Sequence, residues 1–184
     1  MLDSLITSKT RIKQLTRLFL NSNSHGHLRG LQAEFHESSN AIRLELNRFE
    51  QAGLIISHKE ANRKVFAANT AHPLFPEINQ ILYKHFGLDQ LIDKVIKRLG
   101  QVEKVFLTGD FAIGKESSSI DMLIVGNDLN VNYLNGLIAK SQNLIKRTIK
   151  YTILGTHEIA SFLSANKKQD FLLLWKRDES VKSQ

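Results

Sequence analysis

Hydrophobic positions in the first seventy residues recur at helical spacing in three segments and then form two short strand-like runs. The segments 8–21, 28–36 and 38–51 each place apolar side chains three or four residues apart, which predicts three amphipathic helices. The runs LIISHK (54–59) and RKVFAAN (63–69) are rich in branched and aromatic residues, and the polar segment between them predicts a β-hairpin. The sequence therefore predicts three helices followed by a hairpin.

The rest of the chain alternates between helical and strand-like patterns. Both prolines of the chain, Pro73 and Pro76, lie in AHPLFPEINQ and predict a domain junction. Beyond the junction, the apolar spacing predicts helices at 74–86, 88–99, 131–146 and 157–163, and strands at 102–109, 119–126 and 148–154. The apolar run at 170–175 fits either type.

These patterns predict an α+β protein with two parts. Three helices followed by a hairpin is the order of a winged helix-turn-helix, which we expect in residues 1–72, and residues 73–100 are expected to form two linker helices. Residues 101–184 are expected to form a small mixed α/β domain. The two apolar linker helices are candidates for a dimer interface, with packing inside the chain as the alternative.

The amino-acid composition limits the classes of molecule that the protein is expected to bind. The 184 residues contain 25 Lys and Arg against 18 Asp and Glu, a net charge of +7, which favours polyanionic partners. The chain has no cysteine, which excludes disulfides and cysteine-bound metals. No apolar run reaches the roughly 18–20 residues of a membrane span, and the first residues lack a signal-peptide pattern. We therefore expect a cytoplasmic protein without a membrane partner.

The third predicted helix has the polar face of a recognition helix. Its apolar stripe is Ile42, Leu46 and Phe49, and its opposite face carries Ser, Asn and Arg side chains, which can hydrogen-bond base edges and phosphates. We expect Ser39 to cap this helix, residues near its start to read bases, and the basic hairpin tip to contact phosphates. The residues expected at the interface with double-stranded DNA are Ser38, Ser39, Asn40, Arg43, Asn47, Arg48, Lys59, Arg63 and Lys64.

Residues 8–70 resemble the winged-helix repressors of bacteria and archaea, of ArsR-like type. The resemblance lies in L-R-x-L of the second helix, in N-R-F-E-Q-A-G-L-I and in the hairpin after it. It departs at Leu44, which stands on the outer side of the recognition helix where a polar residue is expected. We expect a homodimer, and a two-fold dimer would read a pseudo-palindromic site. We interpret His25, His27, His36 and His58 as solvated or capping residues, because no carboxylate or cysteine accompanies them at ligand spacing.

A second motif lies in VFLTGDFAIGKESSSIDMLIVGND (105–128). It resembles the minimal nucleotidyltransferases of prokaryotes, whose signature is Gly-Ser at a strand-to-helix turn, a second glycine and Asp-x-Asp on the next strand. Paired carboxylates at i and i+2 point the same way and can hold Mg²⁺ with substrate phosphates. The corresponding site here would consist of Gly109, Asp110, Gly114, Ser119 and Asp121.

Several positions depart from that signature. Asp110 replaces the serine, Ser119 replaces the first carboxylate, and the strand 148–154 supplies no third carboxylate. One carboxylate is a poor Mg²⁺ site, and Asp110 places a negative charge where the triphosphate should lie. We therefore predict no catalytic residue, no cofactor and no resident metal. Mg²⁺ becomes relevant only if Asp110, Glu116 and Asp121 converge.

The sequence thus predicts a DNA-binding transcriptional regulator with a catalytically degenerate nucleotidyltransferase-like domain. That domain would serve dimerisation or bind a small-molecule or protein effector. Two alternatives stay open: an active nucleotidyltransferase with a winged-helix targeting module, and a protein-interaction module of toxin–antitoxin type.

Overall fold

A computed structural model describes residues 2–167 and 170–178 and shows a mixed α+β chain. The chain divides into two compact units. The first unit holds the chain up to Phe86 together with Ile113–Glu116, and the second holds Gly87–Ala112 and the chain from Ser117 onward. The domain limits expected after residues 72 and 100 stay predictions.

In the first unit, three helices precede a β-hairpin, as predicted. Its elements are a 3-10 turn (Leu2–Ser4), α1 (Lys9–Phe19), β1 (His25–His27), α2 (Leu28–Phe35), α3 (Ser39–Gln51), β2 (Ile55–Glu60), β3 (Arg63–Ala68) and α4 (Phe75–His85). The three strands form an antiparallel sheet in the order β1-β3-β2. The segment HGH (25–27) lies outside the predicted strands, yet it forms β1 because it pairs with β3 far along the chain.

The helices of the first unit pack around the apolar stripe of α3. Ile42, Leu46 and Phe49 are buried, as the helical spacing predicts. Phe19 of α1 meets Phe49 edge-on at 6.4 Å between ring centroids. The buried side chain of Gln14, also on α1, donates from Nε2 to the Ile42 carbonyl at 3.0 Å. These contacts fix α3 against α1, so that the opposite face of α3 stays exposed.

Both ends of α3 have a local cause. Ser38, rather than the expected Ser39, caps the helix: its Oγ accepts from the Ala41 amide at 3.1 Å. The extended backbone of Ser38 turns its hydroxyl toward the first free amides, whereas Ser39 already lies in the helix. After the last turn, Gly53 adopts φ +71°, a conformation that glycine reaches without strain and that ends the helix.

In the second unit, four strands form one sheet, and helices connect them. Its elements are α5 (Leu88–Arg98), β4 (Gln101–Thr108), α6 (Gly109–Ala112), β5 (Ser119–Asn127), α7 (Val131–Ile145), β6 (Thr148–Leu154), α8 (Ile159–Ala165) and β7 (Leu172–Lys176). The strand order is β6-β5-β4-β7. Only β5 and β6, joined through α7, run parallel among the described pairs. The undecided run at 170–175 contributes the edge strand β7.

The two helices expected to link the domains fall in different units. The apolar stripe of α5, Leu91, Ile92 and Val95, is buried within the chain, whereas α4 leaves Ile81 exposed. The stripe of α5 thus packs inside the chain, the alternative that the sequence left open. Within the described residues, no helix combines the length and the apolar character that crossing a membrane requires.

Candidate nucleic-acid interface

The start of α3 presents a short polar surface with a defined arrangement. Asn40 and Arg43 are exposed, and Arg43 donates from Nη2 to Oδ1 of Asn40 at 2.9 Å. This bond holds the guanidinium beside the first turn of the helix instead of leaving it to sample many rotamers. The Ser38 hydroxyl accepts the capping bond, so it can still donate its own proton outward.

Arg48, one of the residues expected to contact DNA, forms an ion pair with an acidic residue of the same helix. Its Nη1 lies 3.1 Å from Oε1 of Glu45, whose carboxylate is buried and also receives Nε of Arg11 at 2.8 Å. Burial alone would raise the pKa of Glu45, but the hydrogen bond and charge of Arg11, with smaller contributions from Ser8 and Arg48, bring that pKa below its usual value. The Arg48 pair thus lies within α3, whereas the Arg11 pair joins α1 to α3.

The hairpin carries an unfavourable pair of like charges. Lys59 and Lys64 stand directly opposite each other in the antiparallel register of β2 and β3. Directly opposed like charges destabilise a sheet. Glu50 compensates for one of them: Lys64 donates to it at 2.8 Å and lies 5.0 Å above the Phe66 ring. The hydrogen bond from Lys64, helped by one from Ser57, lowers the pKa of Glu50 below its usual value.

A hollow of about 510 Å³ lies between the start of α2, the exposed face of α3 and the hairpin. We call it the basic groove. Its floor is apolar, from Leu28, Leu46 and Phe66, and its polar walls hold His27, Arg29, Arg43, Asn47, Asn62, Arg63 and Lys64. None of the described residues that line it carries a carboxylate. Three guanidinium groups and one ammonium group facing a single hollow create a strongly positive surface, suited to a polyanion.

The structure brings together four of the nine residues expected to contact DNA. Arg43, Asn47, Arg63 and Lys64 line the basic groove, whereas Ser38, Ser39, Asn40, Arg48 and Lys59 are exposed but do not line it. Sequence reasoning missed His27, Arg29 and Asn62. The L-R-x-L segment did single out the start of α2, but its distance from the hairpin depends on how β1 pairs with β3.

The histidines have structural roles in the first unit. His27 caps α2 by accepting the Gly30 amide on Nδ1 at 3.0 Å, and His36 ends α2 with a left-handed backbone. His58 lies 2.9 Å from a carboxylate oxygen of Glu60. Among the described residues, no group of three or more His, Asp or Glu side chains is placed to hold a metal ion.

The second unit holds four of the five residues of the expected nucleotide site. Gly109 turns the chain with φ +65°, and a Cβ added there would lie 3.1 Å from a carboxylate oxygen of Asp121. Ser119 donates its hydroxyl to the other oxygen of Asp121 at 3.2 Å. Asp110 stands in the first turn of α6, which is only four residues long. Gly114 belongs to the segment Ile113–Glu116 of the first unit, where its backbone approaches that of α1.

The register of β6 bears on metal binding. Lys150 lies directly opposite Asp121 in the parallel pair, and Thr148 lies opposite Ser119. Opposed residues in neighbouring strands project to the same face of the sheet. An ammonium group therefore shares the face on which a third metal-binding carboxylate would be needed, and it would repel a divalent cation.

Comparison with known proteins finds partial likenesses. No family model matches the chain, and no curated protein matches it. Among solved structures, it is similar to reduced HlyU from Vibrio cholerae N16961 (17% identity, 47% of this chain and 83% of that chain, TM-score 0.37). It is also similar to a candidate nucleotidyltransferase from Sulfolobus solfataricus (23% identity, 54% of this chain and 87% of that chain, TM-score 0.37). A third similar structure is a candidate transcriptional regulator for arsenical resistance (22% identity, 46% of this chain and 86% of that chain, TM-score 0.30). At TM-scores this low, none of the three assigns a function.

Proposed function

We propose that this protein is a transcriptional regulator whose first unit binds double-stranded DNA as a winged helix-turn-helix. The basic groove carries the proposal, because basic residues from α2, α3 and β3 face one hollow that no described carboxylate lines. A protein that neutralises phosphates releases their counterions, which makes such binding favourable and dependent on salt.

The hairpin supports the same proposal. Lys59 and Lys64 repel each other across the strands, and Glu50 binds only the second of them. Folding alone gives no reason for this pair, whereas a nearby phosphate backbone would stabilise both charges. On α3, the paired Arg43 and Asn40 form a prearranged donor and acceptor that could read a base edge, with Arg favouring guanine.

For the second unit, we propose a nucleotidyltransferase-like domain without nucleotidyl transfer. Asp121 already accepts the Ser119 hydroxyl, and Lys150 stands across from it. A single carboxylate beside an ammonium group is a poor site for Mg²⁺, which demands several oxygen ligands. The domain would instead serve dimerisation or the binding of an effector or partner. A two-fold dimer would read two half-sites of one operator.

Charge reversal tests the proposal in the full chain. Arg43→Glu and Arg63→Glu should each lower duplex affinity at least about tenfold and lower the slope of log K against log salt by about one or more. Lys140→Glu is the matched control: it makes the same charge change on an exposed residue of α7 in the second unit. The proposal fails if no duplex binds, or if all three variants lose affinity equally.

A further inference from the structure

We infer that His27 and Arg63 form a clamp for one phosphate oxygen of the duplex backbone, at the rim of the basic groove. This inference rests on the proposed function and names part of its ligand site. The two side chains come from elements far apart in sequence, β1 and β3, and His27 Nε2 lies 3.1 Å from Nη1 of Arg63. Both residues line the groove.

The hydrogen bonds of His27 decide what that short distance means. Its Nδ1 accepts the Gly30 amide at 3.0 Å, so Nδ1 carries no proton while the cap is in place. A neutral imidazole has one proton, and it must then be on Nε2. A guanidinium nitrogen is also only a donor. The contact between Nε2 and Arg63 therefore places two N–H donors side by side without an acceptor between them.

The other tautomer does not remove the conflict. A proton on Nδ1 would let Nε2 accept from Arg63, but it would then face the Gly30 N–H and abolish the cap of α2. The first amides of a helix have no partner within the helix, and losing a cap costs about 1 kcal/mol. Arg63 is exposed and can reorient at little cost, so the cap prevails and Nε2 stays a donor.

The position of the imidazole is built into α2. A Cβ added at Gly30 would lie 2.5 Å from Cε1 and from Nδ1 of His27, so only glycine lets the ring close over the first turn. The backbone of Gly30 is not in the left-handed region, and glycine is therefore not required there for its φ. The ring is held where its second nitrogen reaches Arg63.

An oxygen anion satisfies both donors at once. Two N–H groups converging from a rigid ring and a guanidinium match the oxygen of a phosphate, and hydrogen bonds to ionised groups are the strong ones. A second hollow, which His27 and Arg63 also line, contains the carboxylates of Glu34 and Glu60. Glu34 pairs with Arg17 at 3.2 Å, and Glu60 lies 2.9 Å from the His58 imidazole. Arg17 therefore offsets the charge of Glu34, and the basic groove, which no described carboxylate lines, is the side of the clamp that favours an anion.

Three variants of the full chain test the clamp. His27→Asn keeps an acceptor for the Gly30 amide, since Asn is a good N-cap, but lacks the distal donor. Arg63→Gln removes the charge, and Gly30→Ala displaces the ring without removing either donor. Each should weaken duplex binding about five- to tenfold, and Arg63→Gln should also lower the salt slope by about one. Protection of the Gly30 amide from hydrogen exchange in His27→Asn verifies that the cap remains.

A direct measurement uses the imidazole nitrogens. Long-range ¹H–¹⁵N spectra of the full chain should show His27 with bare Nδ1 and protonated Nε2, and its Nε2 signal should shift with inorganic phosphate in the wild type but not in Arg63→Gln. A proton on Nδ1, or duplex affinity unchanged in all three variants, overturns the clamp even if the wild type binds DNA. If phosphate shifts Nε2 but no duplex binds, the clamp stands for another phosphate compound and the proposed function fails.

Discussion

The buried carboxylate of Glu45 joins α1 to α3, and its replacement should weaken the first unit. Glu45 is 7% exposed and accepts hydrogen bonds from Nε of Arg11 (2.8 Å), Nη1 of Arg48 (3.1 Å) and Oγ of Ser8 (3.2 Å). In Glu45→Gln, the shape stays nearly the same, but the charge is lost and the new amide group points its N–H donors toward Arg11. The helix that carries Arg43 then loses part of its support.

The size of the effect follows from the exposure of the partners. A hydrogen bond to a charged group contributes about 1.5–3 kcal/mol when buried. The side chains of Arg11 and Arg48 are 36% and 52% exposed, so water replaces much of what they lose, as in surface pairs worth about 0.2–1 kcal/mol. With the Ser8 bond kept in part, we expect the free energy of unfolding of the first unit to fall by about 2 kcal/mol.

Hydrogen exchange of the α1 and α3 amides is the suitable assay, because the single tryptophan, Trp175, lies in the second unit and does not report on these helices. The folded-state pKa of Glu45 lies below its usual value. Its contribution is therefore complete above the unfolded-state pKa and is lost as the pH falls through the lowered folded-state pKa. The difference between wild type and variant should shrink in acid.

Glu37→Gln is the control within the first unit, since the ion pair of Glu37 with Lys13 at 3.0 Å is partly exposed and its loss should cost less than about 1 kcal/mol. Two results would refute the reasoning on Glu45. One is a Glu45→Gln protein as stable as the wild type at neutral pH. The other is a difference between the two proteins that grows toward acid pH.

Three further predictions concern other parts of the chain. Glu50→Gln should raise duplex affinity about two- to fivefold, because the Lys64 ammonium group is then released to bind phosphate. Fluorescence anisotropy at several salt concentrations would measure the affinity, and weaker binding by the variant would contradict a phosphate contact by Lys64. The wild type should incorporate no labelled nucleotide with Mg²⁺ or Mn²⁺, and incorporation abolished by Asp121→Ala would show that the site is active. Gly87→Ala should lower the free energy of unfolding of the second unit by about 1–3 kcal/mol, since Gly87 has φ +69° and the new Cβ would lie 2.6 Å from Ile145. Urea titrations followed by Trp175 fluorescence would measure this loss, and an unchanged midpoint would contradict it.

Local patterns were sufficient for most of the helices and strands. The stripe of Ile42, Leu46 and Phe49 repeats every three to four residues, and the structure buries all three. The apolar run of β5 likewise predicts a buried strand, and its central residues are buried. Such features depend on neighbours a few residues apart, which the sequence displays directly.

Features that depend on register between distant segments escaped prediction. His27 belongs to a strand only because it pairs with Val65, and that pairing also brings the start of α2 beside the hairpin. The sequence shows that the strand containing Lys150 has no carboxylate. The position of Lys150 opposite Asp121, however, follows from the parallel register of β5 and β6. The choice of Ser38 over Ser39 as cap depends on one backbone angle, which two adjacent serines do not reveal.

Mapping a bound duplex on the full chain by amide chemical shifts tests DNA binding by the basic groove most directly. We predict that the shifts cluster at the start of α2, along the exposed face of α3 and on the hairpin around Arg63, and that added salt reverses them. Shifts centred on the second unit, for example around Lys94 and Lys140 between α5 and α7, or the absence of shifts at every duplex concentration, would contradict the proposed role of the groove.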